Sequence, residues 1–308
     1  MRAPLVEALG SQVNVRLLGQ RLLETTRWRR LGVRVLVVYL PMAVLALVYT
    51  APLIWLVGSS VKPESQVFEY PPKFIPRAFE WVNYPDALVQ FPFIVTGLNT
   101  LTIVVGVMVG RLLTASLAAY GFARLRFPGR DVLFILVLTT LMIPYHVILI
   151  PQYLIFRDLG WLNTLKPLIV PAWFGGGAFF IFLLRQFFMT IPREYDDAAR
   201  IDGCGFIQVW WHIILPMSLP ALGAVAIFTF MGEWNDFLAP LIYLNTPEKQ
   251  TLAIAVEQWR RSSVHTGYNH QWNHIMAVAT VVTVPPLLVF FFAQRHFIQG
   301  VVISGIKG

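Results

Sequence analysis

The chain has 308 residues, of which 56% are apolar and only 13% charged, with a mean hydropathy of +0.63. Charge at about half its usual share excludes an ordinary water-soluble domain, and apolar windows near 20 residues recur, so lipid is the solvent for most of the protein. The net charge of +8 does not imply a nucleic-acid partner, because the basic residues are distributed loop by loop, and a single cysteine, Cys204, excludes an internal disulfide.

Residues 1–33 form a basic N-terminal segment with Arg2, Arg16, Arg21, Arg27, Arg29 and Arg30. Its Leu17, Leu18, Leu22 and Leu23 allow either a helix lying on the membrane surface or a basic tail. No secretory signal is evident, since the first apolar run starts near Val33 and is too long for one. Residues 34–308 read as a transmembrane domain with spans near 34–57, 94–118, 132–151, 167–187, 219–243 and 275–293. Pro41 and Pro52 predict kinks in the first span. The proline-rich stretch 58–93 reads as an exposed loop with little regular structure, anchored at the interface by Trp81 and Tyr84. Arg111 falls in the last third of the second span, where snorkelling to the near headgroups is favoured over an internal charge. Arg124, Arg126, Pro128, Gly129 and Arg130 make a tight basic turn, and a short amphipathic piece is expected at 152–165. Gly175, Gly176 and Gly177 sit mid-way along the fourth span; close helix packing is favoured there over a break. The fifth span carries Glu233, Trp234, Asn235 and Asp236 beyond its middle.

The stretch 190–216 stands apart from these runs. Asp196, Asp197, Arg200 and Asp202 crowd together where charge is otherwise sparse. Thr190 is the expected N-cap and Pro192 suits a first turn, with Glu194, Asp196 and Asp197 near the positive end of the helix dipole. Gly203 can take the left-handed conformation that ends a helix. About ten residues rise roughly 15 Å, half of what a bilayer needs. The segment therefore lies at a membrane face, followed by a second short helix near 205–214 before Pro216.

Six spans place both termini on one side. About two-thirds of the 24 Lys and Arg lie on that side, which the positive-inside rule assigns to the cytoplasm together with 190–216.

Asp197-Ala198-Ala199, Gly203, Ile213 and Leu215-Pro216 have the spacing of the EAA loop of binding-protein-dependent ABC importer permeases, and the chain resembles that family, with Asp197 where the family usually has Glu. Further stretches are similar to the smaller permease of maltose-type sugar importers: 99–130, 142–164, WNDFLAPLIYLNTPEKQTL at 234–252 and QRHFIQGVVISGIKG at 294–308. The resemblance starts near residue 34. It implies an all-α polytopic membrane protein of type I permease architecture, with six transmembrane helices and a cytoplasmic coupling-helix loop. It also implies a non-enzymatic subunit of a sugar or oligosaccharide importer in a bacterial or archaeal inner membrane. Its partners would be a second homologous permease, two cytoplasmic ATPases that bind ATP and Mg, and an extracytoplasmic solute-binding protein. The residues implied in ATPase coupling are Glu194, Asp196, Asp197, Ala198, Ala199, Arg200, Asp202 and Gly203. Asp196, Asp197 and Arg200 would make charged contacts, and the small residues would allow close approach. Gln299 and Gly300 are a possible C-terminal ATPase contact.

For the substrate path the candidates are Glu233, Trp234, Asn235 and Asp236, because polar groups within a span face a cavity or protein. No lysine follows a glycine, so a Walker A core is absent, and no HExxH, nucleophile-elbow or dinucleotide fingerprint appears. His265, His270 and His274 are grouped in a polar loop, where a solvated loop is favoured over a metal site. An ABC permease for another small polar solute remains open. An ion-coupled secondary carrier would need intramembrane acids and an internal repeat, and neither is clear.

Overall fold

A computed structural model describes residues 35–265 and 271–305, with side chains described for 35–261 and 271–292. The basic segment 1–33 and His270 lie outside the described residues, as do the side chains of His265, Gln299 and Gly300. Every described element is helical. The first helix, α1 (Val35–Ser60), opens with a π-turn and is apolar all round; its apolar window is wholly uncovered, as expected of a helix that faces lipid.

The stretch 58–93 is better ordered than its prolines suggest. It carries α2 (Glu64–Val67) and α3 (Asn83–Gln90) and is tied down by polar bonds. The fully buried Lys62 donates through Nζ to the Lys73 carbonyl at 2.5 Å and lies 4.1 Å from the centre of the Trp55 ring. Asn83 Nδ2 donates to the Ser60 and Lys62 carbonyls, both at 3.0 Å, and its Oδ1 accepts from Asn273. Tyr84 bonds Ser60 through its hydroxyl, whereas Trp81 stays exposed. Sequence reasoning missed this order because each bond joins residues more than ten positions apart.

Next comes α4 (Phe93–Arg124), the second span. Its 32 residues rise about 48 Å, longer than a hydrocarbon core, so its end projects beyond the bilayer. The third span is broken at Pro144, with α5 (Arg130–Met142) and α6 (Tyr145–Asp158) meeting at 98°; of the amphipathic piece expected at 152–165, only the part up to Asp158 is helical, within α6. The fourth is also interrupted. α7 (Lys166–Ile169) continues as a 3-10 turn (Val170–Trp173), then Gly175, Gly176 and Gly177 all take positive φ before α8 (Ala178–Thr190). The triple glycine is thus a break, contrary to the packing expectation, although packing matters as well: a Cβ on Gly176 would lie 2.6 Å from the Ala115 Cβ.

After α8 come α9 (Glu194–Ile201), α10 (Phe206–Met217, with a π-turn at Trp210–Ile214) and α11 (Leu219–Trp234). α10 and α11 are bent by 80°. α12 (Leu238–Tyr243), α13 (Leu252–His265) and α14 (Trp272–Gly305) complete the chain. The fifth span therefore ends at Trp234, and the polar stretch that follows holds a helix of its own. Among the described residues four helices are long and apolar enough to cross a membrane, or up to six if each bent pair is one span.

α4 is the central post, packed against α8 and α11, while α14 packs against α1 and α11. Two bonding clusters mark its ends. At its start, Asn99 Nδ2 donates to the Glu248 and Gln250 carbonyls, and Thr100 Oγ1 accepts from the Leu252 N–H. At its end, Arg124 meets α9. One apolar core, including Tyr120, Leu184, Phe188, Ala199 and Ile214, lies beneath α9, and a second, including Phe91, Trp234 and Leu252, fills the other end.

Candidate functional site

The site is α9 and the bend that follows it. Glu194, Asp196 and Asp197 stand in the first turn of α9 and Arg200 in its last, an order that opposes the helix dipole at both ends. Thr190 does not cap α9: its hydroxyl donates back to the Phe187 carbonyl at 2.7 Å, the ordinary behaviour of a threonine at a helix end. The helix begins only at Glu194, two residues after Pro192. Gly203 has φ +86°, and the Cys204 N–H reaches back to the Ala199 carbonyl at 2.9 Å, closing the helix as a left-handed glycine cap. The Gln208 side chain accepts from the Gly205 N–H at 2.8 Å to start α10. Arg200 braces the bend by lying 4.7 Å over the Phe206 ring.

The two faces of α9 differ. Asp196 and Ala199 are buried against the bundle in this chain. Asp196 Oδ2 pairs with Arg124 Nη1 at 3.4 Å, and Arg124 Nη2 donates to the Ile191 carbonyl at 2.7 Å. Burial pushes the Asp196 carboxyl above its ordinary pKa, and the Arg124 and Arg200 guanidinium groups pull it back. Glu194, Asp197, Ala198, Arg200, Asp202 and Gly203 all face outward. Between them stand apolar side chains that sequence reasoning missed: Tyr195, Phe206, Ile207 and above all Ile201, 86% exposed on a charged helix. The outward face is therefore a mixed apolar and charged patch, the composition of a docking surface. The signal available in the sequence was two apolar residues, Tyr195 and Ile201, set among acids.

The polar residues of the fifth span do not form one group. Trp234 is buried, donates Nε1 to the Val282 carbonyl at 3.2 Å and stacks on Phe230. Asn235 donates to the Met231 carbonyl at 2.7 Å, and Asp236 accepts from the Ala239 N–H at 3.4 Å, each closing a local helix end. Glu233 instead meets Arg111 at 3.2 Å. Arg111 also donates to Thr229 Oγ1 at 3.3 Å and lies 4.6 Å over the Phe180 ring. Arg111 therefore does not snorkel; it is an internal charge that joins the second, fourth and fifth spans. Among the described residues no group of three His, Cys, Asp or Glu is placed to hold a metal.

The model of the family "Binding-protein-dependent transport system inner membrane component" matches residues 111–303, spanning Arg111, the basic turn, α9 and the last span. The chain belongs to that family. Among its relatives is the sn-glycerol-3-phosphate transport system permease protein UgpE of Yersinia pestis, 34% identical over 248 residues, which cover 78% of this chain and 86% of that one. The osmoprotective compounds uptake permease protein GgtD of Synechocystis is 30% identical over 292 residues, covering 92% and 94%. The arabinooligosaccharides transport system permease protein AraQ of Halalkalibacterium halodurans is 35% identical over 210 residues, covering 68% and 73%. A solved bacterial ABC transporter involved in the import of the acidic polysaccharide alginate has a chain of the same fold, with a TM-score of 0.75 at 23% identity over 85% of this chain and 95% of that one. This permease is thus a multi-pass inner-membrane subunit of an ABC importer, contributes to the translocation path and does no chemistry of its own.

Proposed function

We propose that this permease imports a polyhydroxylated solute, a sugar or oligosaccharide, and that α9 is its cytoplasmic coupling helix. The observation that carries the reading is the outward face of α9, where Glu194, Asp197, Ala198, Arg200, Asp202 and Gly203 surround the protruding Ile201. A charged surface with an exposed apolar knob at its centre, on a helix too short to span, suits a groove on a soluble partner. The basic residues concentrated on the same side as α9 favour the cytoplasm, where ATP is. The partners are a second, homologous permease completing the path, two ATPases that carry ATP and Mg, and an external solute-binding protein. ATPase closure and opening then shift the permease between outward-open and inward-open populations, and α9 must stay bound through both. The sugar reading draws on the WND and C-terminal stretches and on the arabinooligosaccharide relative. Glu233, Trp234, Asn235 and Asp236 lie along the proposed substrate path, with Gln299 and Gly300 as a second ATPase contact.

Replacing Gly203 by valine tests the coupling role. Open space surrounds the position, but the positive φ resists a branched side chain. Membrane insertion should be intact, while ATP hydrolysis stimulated by the solute-binding protein should be lost. Normal stimulation in this variant would refute the assignment.

A further inference from the structure

Arg124 is the last residue of α4, and its side chain is only 2% accessible; that of its partner Asp196 is 9% accessible. The guanidinium holds two different elements at once. One arm pairs with Asp196 in α9, and the other donates to the carbonyl of Ile191, which immediately follows α8. That carbonyl lies among the unsatisfied acceptors of a helix C-terminus, where a cation is favoured. Tyr120, Ala123, Phe188, Ala199 and Trp210 belong to the buried core at this end of the bundle. Arg124 Nε and Asp196 Oδ1 make no hydrogen bond, and the polar groups nearest the pair, the Tyr120 phenol and the buried Trp210 Nε1–H, are neutral. The other charged groups that act on Asp196 are Arg193, Asp197 and Arg200, all exposed on or beside α9 itself, which would travel with it.

We propose that Arg124 is a positioning residue that clamps the coupling helix to the adjoining ends of the second and fourth spans, so that the three move as a single body during transport. The proposal rests on the reading of α9 as the ATPase-docking helix. Sliding α9 along the bundle would separate two buried charges and leave Arg124 with no other carboxylate in contact, which is strongly disfavoured. A push on the exposed face of α9 therefore passes into α4, the central post, rather than being absorbed by a hinge at 191–193. Arg126, two residues further on, is exposed and makes no ion pair or hydrogen bond among the described residues, so the clamp is specific to position 124.

The test uses the assembled transporter with its ATPase, in a Cys204→Ser background, with spin labels at Arg126→Cys and Arg193→Cys to report the distance between the end of α4 and the start of α9. It is measured nucleotide-free and after trapping with Mg-ATP and vanadate. With Arg124 and Asp196 intact, the distance should be the same in both states. In Arg124→Gln and in the near-isosteric Asp196→Asn, it should become state-dependent, shifting by a few ångström on trapping, and Arg124→Lys should restore most of the invariance. A distance that already changes between states in the intact clamp would overturn the proposal. So would equal broadening in both states of the variants, which a merely structural brace would give. Copurification of the ATPase reports separately on the docking reading: its absence from the unmodified transporter would sink that reading before the clamp is measured.

Discussion

The Arg111–Glu233 pair gives the most quantitative handle on the bundle. The two groups are 3.2 Å apart, each side chain is 18% accessible, and they join α4 to α11 with Thr229 as a third partner. At an effective dielectric of about 20, two unit charges at that distance attract by about 5 kcal/mol. Desolvation of both offsets much of this in the intact protein, but removing one partner leaves the other charge buried and uncompensated, at a cost of about 3–5 kcal/mol. Glu233→Leu alone and Arg111→Met alone should therefore each destabilise strongly. The double variant, which leaves no orphan charge, should recover most of the loss. The assay is a double-mutant cycle on unfolding of the purified permease assembly in one detergent, scored against variants at the exposed Leu136 as controls. A coupling energy of about 2 kcal/mol or more is expected. Additive single effects, or single effects below about 0.5 kcal/mol, would show that the two groups do not form a buried pair and that Arg111 reaches the headgroups after all.

Other predictions follow from named contacts. Gly176→Ala should cost about 1–3 kcal/mol, because φ is +64° and the new Cβ would strike the Ala115 backbone nitrogen at 2.9 Å; the control Gly97→Ala, with open space around it, should be near neutral by the same unfolding assay. Asn83→Ala removes donors to two carbonyls and the acceptor of Asn273, all buried, and should destabilise the strap 58–90 by about 1–3 kcal/mol, seen as faster amide hydrogen exchange confined to that segment. Glu257 accepts hydrogen bonds from Arg260 and Arg261, which lower its pKa to about 2. Because the folded value lies below the unfolded one, its support of α13 is complete above the ordinary carboxylate range and is lost only as pH falls toward about 2. A carboxyl titration followed by carbon NMR should show that low midpoint and move upward in Arg260→Gln with Arg261→Gln. A midpoint at the ordinary glutamate value in the unmodified protein would contradict the contacts.

The membrane class, the all-helical character and the short helix at 194–201 were legible because each depends on local signals: apolar run length, the glycine that ends the helix and the spacing of Asp197, Gly203 and Pro216. What was not legible depends on distance in sequence. Arg111 read as a snorkelling residue because its partner Glu233 is in another span, and the position of a charge along one helix says nothing about which neighbour it faces. Asp196 and Asp197 are adjacent and chemically alike, yet one is buried on Arg124 and the other is exposed; rotation of α9 about its axis is set by Tyr120 and Phe188 beneath it, not by the segment's own residues. The triple glycine was ambiguous for a different reason, since three glycines permit both close approach and chain reversal, and here residues 175–177 do both. The order of 58–93 was hidden because its prolines are compatible with a loop, while its stability comes from Lys62, Asn83 and Asn273 meeting across three segments.

The most direct measurement is a crosslink from the tip of α9. Ile201→Cys in a Cys204→Ser background should form a covalent adduct with the cytoplasmic ATPase through a short bifunctional reagent, in membranes carrying the whole transporter, and should react with impermeant thiol reagents only in vesicles whose cytoplasmic face is outward. Labelling from the opposite face, or no adduct with the ATPase while the complex remains assembled, would contradict the account.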